Sequence, residues 1–277
     1  MMYRDFWRKL TAIYDEQEAR AIASLVYEER FGLNRTDICM GEDARMSEEQ
    51  NGEAERILGR LLRNEPVQYV LGYAYFGESR YVVKPGVLIP RPETAALVAW
   101  MVADMTDEKR LLDCCCGSGC IALEMKGAFP AMQVSAYDIS DVAIEVSREN
   151  ARLLGRDINV FAMDALNPAP ATEKYDVIVS NPPYVCDHER AGMRRNVLDY
   201  EPPTALFVPD EDPIKFYTAI ARYATQALTD GGRLYFEINP LFVDDMKVML
   251  SGLGFVDVTV NTDCGYENRL MRAAIKR

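Results

Sequence analysis

The stretch Arg110-Leu111-Leu112-Asp113-Cys114-Cys115-Cys116-Gly117-Ser118-Gly119-Cys120-Ile121-Ala122-Leu123 decides the fold. Its first part reads as an apolar strand and its last part as the start of a helix. The turn between them carries Gly117 and Gly119, which permit a tight bend and let a ligand approach the backbone closely. Outward from this unit, strands and helices alternate. Strands are predicted at 111–115, 133–137, 159–162, 176–180, 233–238, 256–260 and 270–275, and helices at 120–128, 141–154, 214–228 and 241–250. That alternation predicts an α/β fold with a mostly parallel, Rossmann-like sheet covered by helices on both faces, and a ligand site outside the carboxyl ends of its strands.

Upstream, the pattern changes. Phe6, Leu10, Ile13, Tyr14, Ile22, Leu25 and Val26 recur at helical spacing through residues 5–30. A polar link over 34–46 follows. Ser47, with Gln50 three residues on, then forms a capping-box signature that opens a second helix, which Pro66 is expected to end. Residues 1–70 therefore read as a small helical domain. The aromatic, alternating stretch 73–83, split by Gly77-Glu78-Ser79, predicts a β-hairpin within a linker over 71–92. A helix from 94 to 105 then leads into the main domain, 93–277.

The bulk numbers narrow the partners. With 31 Lys and Arg against 43 Asp and Glu, the 277-residue chain carries a formal charge of -12, so no direct nucleic-acid partner is expected, because that affinity rests on neutralising phosphates. The opening residues mix charges, and nowhere do 18 apolar residues run together, which gives no membrane span. The seven cysteines are odd in number and crowded at 114–120, which does not suit a disulfide framework and points to a reducing cytoplasm. Cys114, Cys115 and Cys116 are successive residues of a strand and point to opposite faces, so they cannot hold one ion, and no metal is expected. The lone histidine, His188, falls in a polar loop and reads as incidental.

The glycine turn alone admits two cofactors. Residues 117–122 also satisfy G-x-G-x-x-A, a dinucleotide fingerprint, and Asp138 ends the next strand where a carboxylate can accept ribose hydroxyls. Two features favour S-adenosylmethionine. Asp113, ahead of the glycines, suits the ammonium of a methionine moiety and would repel a pyrophosphate. Asp164, after the third strand, can accept from an adenine amino group, although an aspartate there also serves as a turn cap.

The strand 175–180 runs into Asn181-Pro182-Pro183-Tyr184, where two prolines stop the ladder and fix the backbone. A carboxamide nitrogen is a poor nucleophile because its lone pair is delocalised into the carbonyl. Methylating it calls for two acceptors aimed at its N–H groups. Asn181 Oδ1 is one, the Pro182 carbonyl the other, and Tyr184 an aromatic wall for the planar group.

Asn-Pro-Pro-Tyr resembles the motif of amino-methyltransferases acting on amides or on exocyclic base amines. Three further runs narrow this: Pro66-Val67-Gln68-Tyr69-Val70-Leu71-Gly72, Ile89-Pro90-Arg91-Pro92-Glu93-Thr94 and Tyr200-Glu201-Pro202-Pro203-Thr204-Ala205-Leu206. With them the chain resembles the release-factor glutamine methyltransferase family (HemK/PrmC) over nearly its whole length. The resemblance implies methylation of the glutamine in the Gly-Gly-Gln loop of peptide-chain release factors, with S-adenosylmethionine as donor, by a monomer whose N-terminal domain recognises the protein substrate. It implies that Asn181, Pro182, Pro183 and Tyr184 hold the glutamine and that Leu88 lies near the transferred methyl. Glu201 is implied to flank the substrate entrance. Cys115, Cys116, Gly117, Ser118, Gly119, Asp138, Ala165 and Asn181 are implied to line the cofactor. The chain departs from the family pattern at Cys115 and Asn239, where glycine is usual, and at Ala165, where a bulkier residue is usual. Altered cofactor affinity is the expected consequence. A nucleic-acid amino-methyltransferase, an NAD-linked oxidoreductase and a non-catalytic binding protein are the alternatives.

Overall fold

The computed structural model describes residues 1–262, 265 and 268–276, so Cys264 lies outside the described residues. The chain divides into two compact units, Met1–Tyr73 with Arg194–Tyr200, and Ala74–Met193 with Glu201–Arg277. Among the described residues, no helix is long and apolar enough to cross a membrane.

The first unit is helical: α1 (Tyr3–Leu10), α2 (Glu16–Phe31), α3 (Arg35–Cys39), α4 (Glu48–Leu61) and α5 (Val67–Leu71). Phe6, Leu10, Val26, Tyr27 and Leu61 are fully buried between them. Local chemistry redraws three expectations. The stretch 5–30 is two helices, because Asp15 accepts from the Glu18 N–H at 2.8 Å and restarts the helix as an N-cap. The 34–46 link holds α3, begun by a capping box between Asn34 and Asp37. Pro66 does not end α4, which stops at Leu61; it precedes α5. The Ser47–Gln50 capping box is present at the start of α4. Segment Arg194–Tyr200 belongs to this unit through an Arg194–Glu18 ion pair at 2.7 Å and a Tyr200 hydroxyl that donates to the Arg63 carbonyl at 2.7 Å.

A hairpin of β1 (Tyr73–Phe76), all but its first residue in the second unit, and β2 (Ser79–Val82) is followed by α6 (Pro92–Asp104). Then come β3 (Arg110–Cys114), α7 (Cys120–Ala128), β4 (Gln133–Asp138), α8 (Asp141–Leu154), β5 (Asn159–Ala162) and β6 (Tyr175–Ser180). Beyond β7 (Val185–Cys186), α9 (Arg195–Tyr200) is the segment already placed in the helical unit. The chain ends with β8 (Phe207–Val208), α10 (Lys215–Ala227), β9 (Leu228–Glu237), α11 (Val243–Gly252), β10 (Phe255–Asn261) and β11 (Leu270–Ile275).

The sheet order is β10-β11-β9-β6-β3-β4-β5, parallel from β9 to β5, with β11 antiparallel to β9 and to β10. Leu111, Leu112, Val177, Ile178 and Val179 are all fully buried, as central strands covered on both faces require. Strand β9 starts at Leu228, ahead of the expected 233, because Gly231 and Gly232 sit inside an irregular pairing with β6 and not in a turn. The short parallel pair β7–β8 was not expected. The hairpin is tied to the sheet unit. Tyr81 is fully buried and donates to Glu124 Oε1 at 2.6 Å, and Asn150 accepts from the Val82 N–H at 2.7 Å while donating to the Val82 and Ser118 carbonyls.

Candidate active site

Strand order reverses at β3, whose neighbours are β4 on one side and β6 on the other. Outside the carboxyl ends of these strands opens a cavity of about 370 Å³, a size that suits a small molecule. Each strand end contributes to it. Cys115, Cys116, Gly117 and Ser118 follow β3, Asp138 and Ile139 come at the end of β4, Met163, Asp164, Ala165 and Leu166 follow β5, and Asn181 and Pro183 follow β6. Leu88, Arg91 and Thr94 come from before and within α6, and Phe207, Lys215 and Phe216 from β8 and α10.

Several expected residues thus meet at one cavity: Leu88, Cys115, Cys116, Gly117, Ser118, Asp138, Asp164, Ala165, Asn181 and Pro183. Asp138 is held from both sides, its carboxylate accepting from the Gly117 N–H at 2.9 Å and the Ser140 N–H at 3.0 Å. Asp164 does cap its own turn, accepting from the Leu166 N–H at 2.9 Å and Asn167 Nδ2 at 2.9 Å, and it still faces the cavity. Cys115 has φ +60, a left-handed conformation unusual for a residue with a side chain. That conformation accounts for the glycine usual there in the resembled family.

Five expected site residues do not line the cavity. Gly119 caps α7 with φ +78, and a Cβ there would stand 2.3 Å from Ser147 Oγ, so this glycine lets α7 and α8 approach. Gly119→Ala is expected to destabilise the fold by about 2 kcal/mol through positive-φ strain and overpacking, read as a lower urea midpoint. Pro182 is buried, and Tyr184 turns its hydroxyl away to donate to Glu237 Oε1 at 3.0 Å, so its ring anchors the tetrapeptide where a wall was expected. Glu201 is 3% exposed, paired with Arg91 and accepting from the Ile89 N–H at 3.1 Å. It braces the 89–91 segment.

Asp113, the fifth, is fully buried behind the loop; Oδ2 accepts from the Ala122 N–H at 3.1 Å and Oδ1 has no partner. Burial pushes its carboxyl up to about 8; the Ala122 N–H opposes the shift and the Asp138 charge adds to it. The folded state then keeps a proton that the unfolded chain releases near pH 4. Its contribution to stability is complete below that point and is lost as the pH rises through about 8. Asp113→Asn is expected to flatten this fall, so that its melting temperature gains on the wild type between pH 5 and pH 8.5.

Further residues at or beside the cavity gain a place only in the folded chain. Glu237 is 1% exposed and accepts from Thr94 Oγ1 at 2.6 Å as well as from Tyr184, while Asn181 Nδ2 donates to Thr94 Oγ1 at 3.1 Å. Burial pushes the Glu237 carboxyl up, and the hydrogen bonds from Thr94 and Tyr184 oppose that shift. Asn239 shows φ -72, which requires no glycine, and its Nδ2 donates to the Tyr184 carbonyl at 3.1 Å and to Glu189 Oε2 at 2.8 Å. Ile139, 66% exposed on the cavity wall, is an apolar face beside Asp138. Its signal was available: an apolar residue directly after the strand-ending carboxylate. Apart from the cavity, His188 pairs with Asp210 at 2.8 Å, and the donor atoms of these two and Cys186 lie within 4.8 Å of one another.

The chain is similar to known methyltransferases. The family model described as "Methyltransferase small domain" matches residues 92–199, and that described as "PrmC N-terminal domain" matches residues 3–72. A release factor glutamine methyltransferase of Bacteroides thetaiotaomicron is 43% identical over 271 residues, covering 96% of this chain and 96% of its own. One from Flavobacterium psychrophilum is 34% identical over 272 residues, covering 96% and 95%. The crystal structure of a methyltransferase from Pyrococcus furiosus shares the fold at a TM-score of 0.50 with 16% identity, over 79% of this chain and 98% of that one.

Proposed function

The chain belongs to the family of release factor glutamine methyltransferases, and we propose that it transfers a methyl group from S-adenosylmethionine to the side-chain amide nitrogen of the glutamine in the Gly-Gly-Gln loop of a peptide-chain release factor. The observation that carries this reading is the position of Asn181. It lies on the cavity wall at the end of β6 with Nδ2 engaged by Thr94, which leaves Oδ1 as the acceptor for a guest N–H.

The residues fit the donor. Asp138 is fixed by two backbone N–H groups and retains lone pairs for ribose hydroxyls; Asp164 keeps acceptor capacity for an amino group of the base. Ile139, Met163, Ala165 and Leu166 offer apolar surface for an adenine ring. When bound, S-adenosylmethionine supplies an electrophilic sulfonium methyl.

The protein's own part is positioning. Asn181 Oδ1, on the cavity wall, accepts one N–H of the glutamine amide, which turns the nitrogen toward the donor and polarises that N–H bond. Leu88, Pro183 and Phe207 on the wall exclude water from the reacting pair. A strong general base is unnecessary, because an N-alkylated amide cation loses its proton readily. The charge of -12 opposes a nucleic-acid substrate.

Incubation of the protein with recombinant release factor and methyl-labelled S-adenosylmethionine is expected to label the factor, with mass spectrometry placing one methyl on the Gly-Gly-Gln glutamine. Label on another residue, or tight binding of NADH in place of S-adenosylhomocysteine, would overturn the reading.

A further inference from the structure

We infer that Thr94 and Glu237 are positioning residues that determine which end of the Asn181 carboxamide faces the cavity. The inference rests on the methyl-transfer reading above and extends it to two residues outside the Asn-Pro-Pro-Tyr motif.

The pairing of β6 with β9 sets Ser180 opposite Phe236, so Asn181 and Glu237 are neighbours at adjacent strand ends. Thr94, in the first turn of α6, stands between them, 2.6 Å from Glu237 Oε2 and 3.1 Å from Asn181 Nδ2. Thr94 is 3% exposed and Glu237 1%, so neither exchanges these bonds freely for water.

The direction of the chain follows from proton counting. Burial disfavours the Glu237 charge, while the hydrogen bonds from Thr94 and Tyr184 and the Arg269 charge favour it; in that ionised form the carboxylate only accepts, and a hydroxyl has one proton to give. Glu237 takes that proton's hydrogen bond from Thr94, and takes a second from Tyr184 at its other oxygen. Thr94 Oγ1 is left with lone pairs alone toward Asn181. It can receive the amide N–H but would repel the amide oxygen. The carboxamide is therefore locked with Nδ2 inward and Oδ1 toward the guest. Reversed, Asn181 would meet a substrate NH2 with its own NH2, two donors facing each other. The same logic favours a carboxylate at this buried position: a neutral amide at position 237 would not enforce one polarity.

The test compares Thr94→Val, which keeps the shape and loses the hydroxyl, with Thr94→Ser, which keeps the hydroxyl. Methyl transfer to release factor and S-adenosylhomocysteine affinity are measured for both. Thr94→Val is expected to lower kcat by roughly 10–100-fold, less than the loss of a group that contacts the reacting atoms directly because Thr94 acts through Asn181, with a smaller change in S-adenosylhomocysteine affinity. Thr94→Ser is expected to restore most of the rate. Wild-type kcat in Thr94→Val, or a Thr94→Ser variant as slow as it, would overturn the inference. A neutron structure of the wild-type protein needs no variant: deuterons on the Asn181 atom nearest Thr94 support the assignment, and a bare oxygen there overturns it. A wild-type protein that transfers no methyl would instead refute the functional reading.

Discussion

Replacing Asn181 with alanine is expected to lower methyl transfer on the order of 10²–10³-fold, as loss of a preorganised polar contact to the reacting group does elsewhere. The fold should barely notice. Asn181 Nδ2 makes one hydrogen bond, to Thr94, and removing it costs about 1 kcal/mol. A large loss of kcat beside a nearly unchanged melting temperature therefore separates chemistry from folding. Single-turnover rates with saturating donor make the comparison directly. A variant that kept one tenth of the wild-type rate would show that the tetrapeptide backbone does the positioning.

Glu201→Ala should give the largest loss of stability, about 2–3 kcal/mol by urea unfolding. Removing one partner of a buried pair costs 3–5 kcal/mol, reduced here because Arg91 is 31% exposed. Two groups lose their partner at once, the Arg91 guanidinium and the Ile89 N–H. Because Leu88 and Arg91 are cavity residues, the variant should also raise KM for the protein substrate. Glu201→Gln keeps an acceptor for Ile89 and gives up the charge, so it should fall between the two. Wild-type stability in Glu201→Ala would show that Glu201 does not brace the 89–91 segment.

What was legible in the sequence was local. The helices Cys120–Ala128 and Asp141–Leu154 and the strands Asn159–Ala162 and Leu270–Ile275 fall where the apolar pattern places them, since periodicity and flanking turns act within a few residues. The strand-end logic likewise brings Cys115, Asp138, Asp164 and Asn181 to one cavity. What escaped depends on pairings between distant residues. Glu201 reads as a loop residue until its partner, 110 positions away, is known. Thr94 and Glu237 acquire a role only once α6 meets the β6–β9 register. Asp113 has the right neighbours for a ligand contact, yet its side chain is turned under the loop to the Ala122 N–H, a choice that no linear pattern encodes. In the helical unit, the breaks at Asp15 and Asn34 were written in capping residues that a hydrophobic count overlooks.

The short stretch Arg194–Tyr200 carries a practical lesson about dissection. It lies in the chain between Tyr184 and Glu201, yet its ties are to Glu18 and Arg63. No single cut frees either half intact: an excised catalytic portion starting at Ala74 would keep this stretch and strip it of its anchors. The bracing glutamate sits one residue beyond Tyr200, so the damage of such surgery would begin next to the very carboxylate that Arg91 relies on.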